Sequence, residues 1–123
     1  MTRALFRTLS IALAVGACSS GPLTVCTDEL RVSLTVSVVD AVTGESAATG
    51  STINLRGAAF QDSVVLTKDS PYVQWEDSAR AGVYDIMVRK LGYHDWSQSG
   101  VRIKGGRCHV PSPTRVIALL QPQ

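Results

Sequence analysis

The chain has 123 residues, which is the length of one small domain. It carries 12 Lys and Arg against 10 Asp and Glu, a formal net charge of +2, and contains no run of five like charges. A nearly neutral chain with interspersed signs lacks the basic patch typical of nucleic-acid-binding proteins. We therefore expect no nucleic-acid partner.

The N-terminus has the three parts of a secretory signal. Arg3 and Arg7 make a basic start, residues 9–17 form an uncharged apolar run, and small residues end that run. The run is too short to span a bilayer, which needs about 20 apolar residues. We predict an exported protein with a signal peptide at residues 1–17, helical over 4–16 while uncleaved. Removal of the two arginines would bring the formal net charge to zero.

The signal ends in Val15-Gly16-Ala17-Cys18, which resembles a bacterial lipobox. The resemblance implies a diacylglyceryl lipid on the Cys18 thiol, cleavage before this cysteine, and acylation, as with palmitate, of its new amino group. Two or more such chains hold a protein at a membrane, because each buried CH₂ contributes about 0.8 kcal/mol. Ser19 is compatible with the outer membrane in the sorting rule of enteric bacteria. The alternative is an ordinary signal peptide cut after Ala17.

Three cysteines leave an odd number in an exported chain. Lipidation of Cys18 explains the odd one and leaves Cys26 and Cys108, which we expect to form a disulfide in an oxidising compartment. This bond would join the first and last segments of the domain, with Cα atoms within about 7 Å. The alternative is two free thiols that act as a redox pair.

From Leu30 the hydrophobic pattern has a period of two, which is typical of strands with one buried face. Residues 18–29 precede this pattern, and Gly21-Pro22 disfavours regular structure there, so we predict a lipidated tether over 18–29 and a domain over 30–123. Turn-forming clusters separate seven strand-like segments at 30–38, 51–56, 63–67, 72–76, 83–89, 101–104 and 114–120. Short strands spaced in this way predict an all-β fold, a single seven-stranded antiparallel β-sandwich.

Two motifs resemble carboxypeptidase regulatory-like domains. Residues 36–55 contain a strand, an Asp-x-x-Thr-Gly sequence at 40–44, and a second strand. Residues 82–93 contain a Gly-x-Tyr strand that ends in Gly-Tyr. The resemblance covers roughly residues 30–120 and implies a prealbumin-like (Ig-like) sandwich after the signal helix, as in small envelope lipoproteins. The chain lacks the proline that commonly follows the first motif.

Catalytic constellations are absent from the sequence, which has no Gly-x-Ser-x-Gly elbow and no phosphate-binding glycine loop. His94 and His109 could bind a metal with Asp85 or Asp95, but a catalytic zinc site needs three protein ligands and their spacing suggests none. The motifs of the two enzyme families known on prealbumin-like folds are also missing. We expect no catalytic residue, no metal and no cofactor.

The best candidate for recognition is the loop at residues 91–96, with Tyr93, His94, Asp95 and Trp96 as candidate binding residues. Aromatic side chains on loops favour binding. The alternative is that Tyr93 and Trp96 pack on the end of the sandwich while His94 is solvated.

The sequence thus predicts a non-catalytic binding or structural accessory module of the cell envelope. The lipid on Cys18 would hold it at a membrane, the outer one by the rule above, facing the periplasm or the surface. An envelope protein or glycan is the expected partner. The alternatives are a small periplasmic hydrolase or metal-dependent enzyme on the same fold, and a transport-associated domain like those that head outer-membrane receptors.

Overall fold

The computed structural model describes residues 26, 29–76, 81–106 and 108–123. These residues form seven strands and no helix: β1 (Leu34–Asp40), β2 (Thr52–Gly57), β3 (Gln61–Val65), β4 (Tyr72–Trp75), β5 (Gly82–Arg89), β6 (Trp96–Ile103) and β7 (Thr114–Leu120). The predicted all-β fold is confirmed. The signal peptide, its helix over 4–16, Cys18 and all of the tether except Cys26 and Glu29 lie outside the described residues. Within the described ranges no helix is long and apolar enough to cross a membrane.

The strands form two sheets, with the orders β4-β1-β7 and β3-β2-β5-β6. The wholly antiparallel sandwich that we predicted is wrong at one pair, because β1 runs parallel to β7 from Leu34↔Thr114 to Asp40↔Leu120. Every other strand pair in the described chain is antiparallel. Alternation along a strand reports which face is buried, but it carries no information about the direction of the neighbouring strand.

The inward faces of both sheets share one hydrophobic core. Burial alternates strictly along β1, as its period of two predicts. Fully or almost fully buried aliphatic side chains come from the three-stranded sheet and the four-stranded sheet alike: Leu34, Val36, Val38, Ala118 and Leu120 from the first, and Ile53, Leu55, Ile86, Val88 and Ile103 from the second. Two sheets that enclose a common core in this way fit a β-sandwich.

Three strands have a boundary that differs from the sequence prediction by two residues or more. β1 begins at Leu34 instead of Leu30, whose side chain is 70% exposed. β3 covers 61–65 instead of 63–67. β6 begins at Trp96, five residues before the predicted start at 101. β6 is an edge strand, and residues 97–100 after Trp96 are exposed and lack large apolar side chains, so the apolar pattern that marks a strand is missing there.

The strands give the sandwich two distinct ends. At the disulfide end, β1 and β7 begin, β6 ends, and Cys26 is bonded to Cys108 with a Cα–Cα distance of 5.3 Å. The predicted pairing and its distance limit are confirmed. At the loop end, β1 and β7 finish and the β5–β6 hairpin turns through residues 90–95. A strand of seven residues separates the two ends by roughly 20 Å.

Candidate functional site

The predicted recognition loop lies at the loop end and is held there by contacts of Tyr93. The chain turns after β5, where the Tyr93 N–H donates to Lys90 O at 3.1 Å and Gly92 has φ +85°. Only glycine enters this left-handed region without cost. The Tyr93 ring then packs against the core, and its hydroxyl donates to Asp40 Oδ2 at 2.7 Å. Lys90 Nζ lies 5.4 Å from the ring centroid and donates to Ala47 O at 3.0 Å.

Asp40 closes the turn that follows β1. Its Oδ1 accepts the N–H groups of Val42 at 2.8 Å and Thr43 at 3.0 Å, and Gly44 completes the turn with φ +74°. The Thr43 N–H, then the Tyr93 hydroxyl, then the Val42 N–H lower the pKa of Asp40, because all three stabilise its charged form. The same bond from the other side raises the pKa of Tyr93. The carboxylate therefore joins the turn after β1 to the β5–β6 hairpin through three hydrogen bonds.

The four predicted loop residues divide into two groups. Tyr93 and Trp96 are half-buried and pack against the core, while His94 and Asp95 are exposed. Asp95 Oδ2 lies 3.3 Å from Arg89 Nε in an exposed ion pair. Leu91 at the tip of the hairpin is 98% exposed and was not among the predicted residues. Leu91 is the second residue after β5, and its apolar side chain gives no sequence signal that it points into solvent.

The two histidines occupy opposite ends of the sandwich. His94 precedes β6 at the loop end, where its main-chain N–H donates to the main-chain oxygen of Gln121 at 2.9 Å. His109 follows Cys108 at the disulfide end, beyond the last residue of β6. β6 has eight residues, so the histidines are separated by about 20 Å or more. They cannot ligate one ion, and no group of three His, Cys, Asp or Glu side chains within the described ranges could hold a metal.

A second candidate surface crosses the outer face of the four-stranded sheet. It is an open groove of about 900 Å³, which we call the polar groove. Strand register sets its outward side chains in two rows, each with one residue from β3, β2, β5 and β6 in that order. The first row is Gln61, Arg56, Asp85 and Ser99, and the second is Ser63, Asn54, Met87 and Ser97.

Most hydrogen-bonding side chains of the polar groove have no partner among the described residues. Arg56 and Asp85 are directly opposite in register, yet the ion pairs within 4.0 Å among the described residues are Arg31–Glu29 and Arg89–Asp95. The side chains of Asn54 and Gln61 likewise make no hydrogen bond to another described residue. At the rim, by contrast, Asp62 Oδ2 already accepts the Trp75 Nε1–H at 2.8 Å.

A β-bulge lies in the first row. The register steps from Tyr84↔Val101 to Ile86↔Gln98, so that Ser99 and Gly100 together oppose Asp85. Gly100 has φ +70°, the left-handed conformation that a glycine bulge requires. Bulges re-aim neighbouring side chains and are common next to binding sites.

The polar groove could not be found from sequence. The alternation of β2 and β5 identifies the side chains that point outward, but which of them lie side by side depends on strand order and register. Neither a protein-family model nor a curated protein sequence matches this chain.

Proposed function

We propose that this protein is a non-catalytic binding module that is exported and held at the cell envelope by lipid on Cys18. The observation that carries the proposal is the position of the disulfide. Cys26, eight residues after Cys18, is bonded to Cys108 at one end of the sandwich, and eight residues reach at most about 28 Å. A lipid on Cys18 would therefore attach the sandwich through its disulfide end, and we expect this end to face the membrane and the loop end to face outward.

The loop end is suited to presentation of a partner-binding surface. Leu91, His94 and Asp95 are exposed there, and the Tyr93–Asp40 bond fixes the hairpin that carries them. Recognition residues on loops held by a rigid scaffold are the common arrangement in β-sandwich binding proteins. An envelope protein or glycan is the proposed partner class.

The proposed family is that of carboxypeptidase regulatory-like domains, in their prealbumin-like form. Sheets of three and four strands support this proposal. So does the contact between the two motifs, because Asp40 from Asp-x-x-Thr-Gly accepts the hydroxyl of Tyr93 from Gly-Tyr. This hydrogen bond joins the two motifs directly, although its residues are 53 positions apart.

Lipidation is tested on the full chain expressed in a bacterial host. Intact mass of the membrane-extracted protein should show a lipid-bearing chain that starts at Cys18, and a free-thiol pair that appears only after reduction. Cys18→Ser should release the protein from the membrane fraction, whereas the control Cys26→Ser should keep the lipid. An unlipidated wild-type chain cut after Ala17 would contradict the proposal.

Orientation is tested in vesicles that contain brominated lipids. A fluorescent amino acid replaces either Leu91 at the loop end or Ala59, an exposed residue of the β2–β3 turn at the disulfide end. We expect stronger quenching at position 59 than at position 91. Equal quenching, or the reverse order, would overturn the proposed orientation while leaving the mass result unaffected.

A further inference from the structure

We infer that the polar groove binds a neutral oligosaccharide that lies across the strands of the four-stranded sheet. This inference rests on the proposed binding function and adds to the loop end a second binding surface with a stated ligand class. The ligand would contact both rows, eight side chains in all, with two from each strand. Adjacent strands are about 4.8 Å apart, so four strands span roughly 14 Å, which is the length of a short oligomer.

The charge of the polar groove favours a neutral ligand. The lining contains two cations, Arg56 and Arg89, and two anions, Asp62 and Asp85, so their formal charges sum to zero. A balanced surface gives no net attraction to a polyanion such as a nucleic acid or an anionic lipid headgroup layer. The lining therefore selects for hydrogen-bonding pattern and not for net charge.

The chemistry of the side chains matches closely spaced hydroxyl groups. A sugar hydroxyl both donates and accepts, and the two rows offer three serine hydroxyls, two amides, a guanidinium and a carboxylate. Arg56 supplies donors and Asp85 supplies acceptors at directly opposite positions, and the two are not paired with each other. An unpaired donor and an unpaired acceptor at neighbouring positions can bind neighbouring hydroxyls of one ring.

Peptide binding fits this face less well. Extended peptides are recognised at a sheet edge, where unpaired main-chain groups add a further strand. On the face of β2 and β5 the main chain is hydrogen-bonded to a neighbouring strand on both sides, so only side chains meet the ligand.

Met87 is half-buried in the middle of the second row and provides an apolar contact for the C–H face of a sugar ring. The Gly100 bulge sets Ser99 at the end of the first row.

Methionine labelling gives a direct reading of this site. The chain has two methionines, Met1 and Met87, and the second lies at the centre of the polar groove. We would titrate the lipid-bearing chain that starts at Cys18, in detergent, with a panel of neutral gluco-, manno-, galacto- and chito-oligosaccharides and follow its ¹³C-methyl methionine NMR signals. We expect a saturable shift of the Met87 methyl signal, with tighter binding of a tetramer than of the monosaccharide.

Substitutions then assign the binding to the two rows. Arg56→Met and Asp85→Asn should each weaken binding about tenfold, the usual loss for one hydrogen bond to a charged group. Arg115→Met and Gln74→Ala are matched controls, because they alter exposed residues opposite Thr35 on the three-stranded sheet, and should leave affinity unchanged. Melting temperature of each variant checks that the fold is intact.

Three results would overturn the inference: no shift of Met87 with any neutral oligosaccharide at millimolar concentration, equal losses in groove and control variants, or preferential binding of an acidic polysaccharide or a tripeptide. The intact mass of the same sample separates the two proposals. A lipidated chain that binds no sugar refutes the oligosaccharide site alone, and a sugar-binding chain without lipid refutes the anchor alone.

Discussion

The Tyr93 hydroxyl donates a 2.7 Å hydrogen bond to Asp40 Oδ2 and so ties the β5–β6 hairpin to the turn after β1. The hairpin and β1 belong to different sheets, so this hydrogen bond links the two sheets at the loop end of the sandwich. Asp40 also holds its own turn through the N–H groups of Val42 and Thr43. One carboxylate thus organises both loops that surround the proposed recognition surface.

Tyr93→Phe should lower the melting temperature, because it removes the hydroxyl donor and leaves the packed ring in place. Asp40→Asn should also lower it, and the double variant should lose less than the sum of the two single variants, since each removes the same bond. Tyr72→Phe is the control, because the Tyr72 hydroxyl has no partner among the described residues. Additive losses of melting temperature at positions 40 and 93 would show that the two side chains do not stabilise the fold through a shared hydrogen bond.

Acid should weaken the fold through Asp40. The folded-state pKa of Asp40 lies below its ordinary value of 3.8, because of the Thr43 N–H, the Tyr93 hydroxyl and the Val42 N–H. A depressed pKa contributes stability that is present above pH 3.8 and is lost as pH falls through the folded-state value. Chemical denaturation from pH 6 to pH 2 should show this loss, and Asp40→Asn should reduce it.

Loss of the disulfide should destabilise the domain strongly. Cys26 and Cys108 are 82 residues apart in sequence, and the chain-entropy model gives about 4.5 kcal/mol for a loop of this length. Urea unfolding of Cys26→Ser with Cys108→Ser should show a lower midpoint by a corresponding amount, with an altered slope if the unfolded chain expands. Reduction of the wild type provides the internal comparison. An unchanged midpoint would show that the bond does not constrain the unfolded state.

The sequence allowed prediction of those features that depend on local pattern. β7 was predicted at its observed bounds because Val116, Ala118 and Leu120 alternate without interruption. The cysteine pairing followed from counting thiols. Turn-forming residues at 40–45 predicted the turn after β1, where Asp40 and Gly44 each have a local conformational role.

Features that depend on pairing were missed. The parallel direction of β7 beside β1 and the juxtaposition of Arg56 with Asp85 arise from strand order and register. No residue along either strand encodes which strand will become its neighbour. The Tyr93–Asp40 bond was missed for the same reason, although both residues had been singled out within their motifs.

Gly57→Ala should destabilise the fold by overpacking. A Cβ atom at this position would lie 2.5 Å from Cε1 of the buried Tyr84 ring, and the cost of such crowding is about 1–3 kcal/mol. Unfolding should be measured for this variant alone and together with Tyr84→Leu, which removes the obstructing ring atoms. We expect the double variant to lose less than the sum of the single losses, and full additivity would rule out the steric explanation.

Gly100→Ala should also destabilise the fold, but through its backbone conformation and not through crowding. No atom lies within 4 Å of a Cβ at this position, but φ is +70°, and the left-handed conformation costs a non-glycine residue about 1–2 kcal/mol. Asparagine tolerates this region better than alanine, so Gly100→Asn should recover part of the loss in the free energy of unfolding. Gly57→Asn should show no such recovery, because crowding and not backbone conformation limits that site. If the alanine and asparagine variants at position 100 are as stable as the wild type, the bulge does not depend on the glycine. The position of Ser99 in the polar groove would then not depend on Gly100 either.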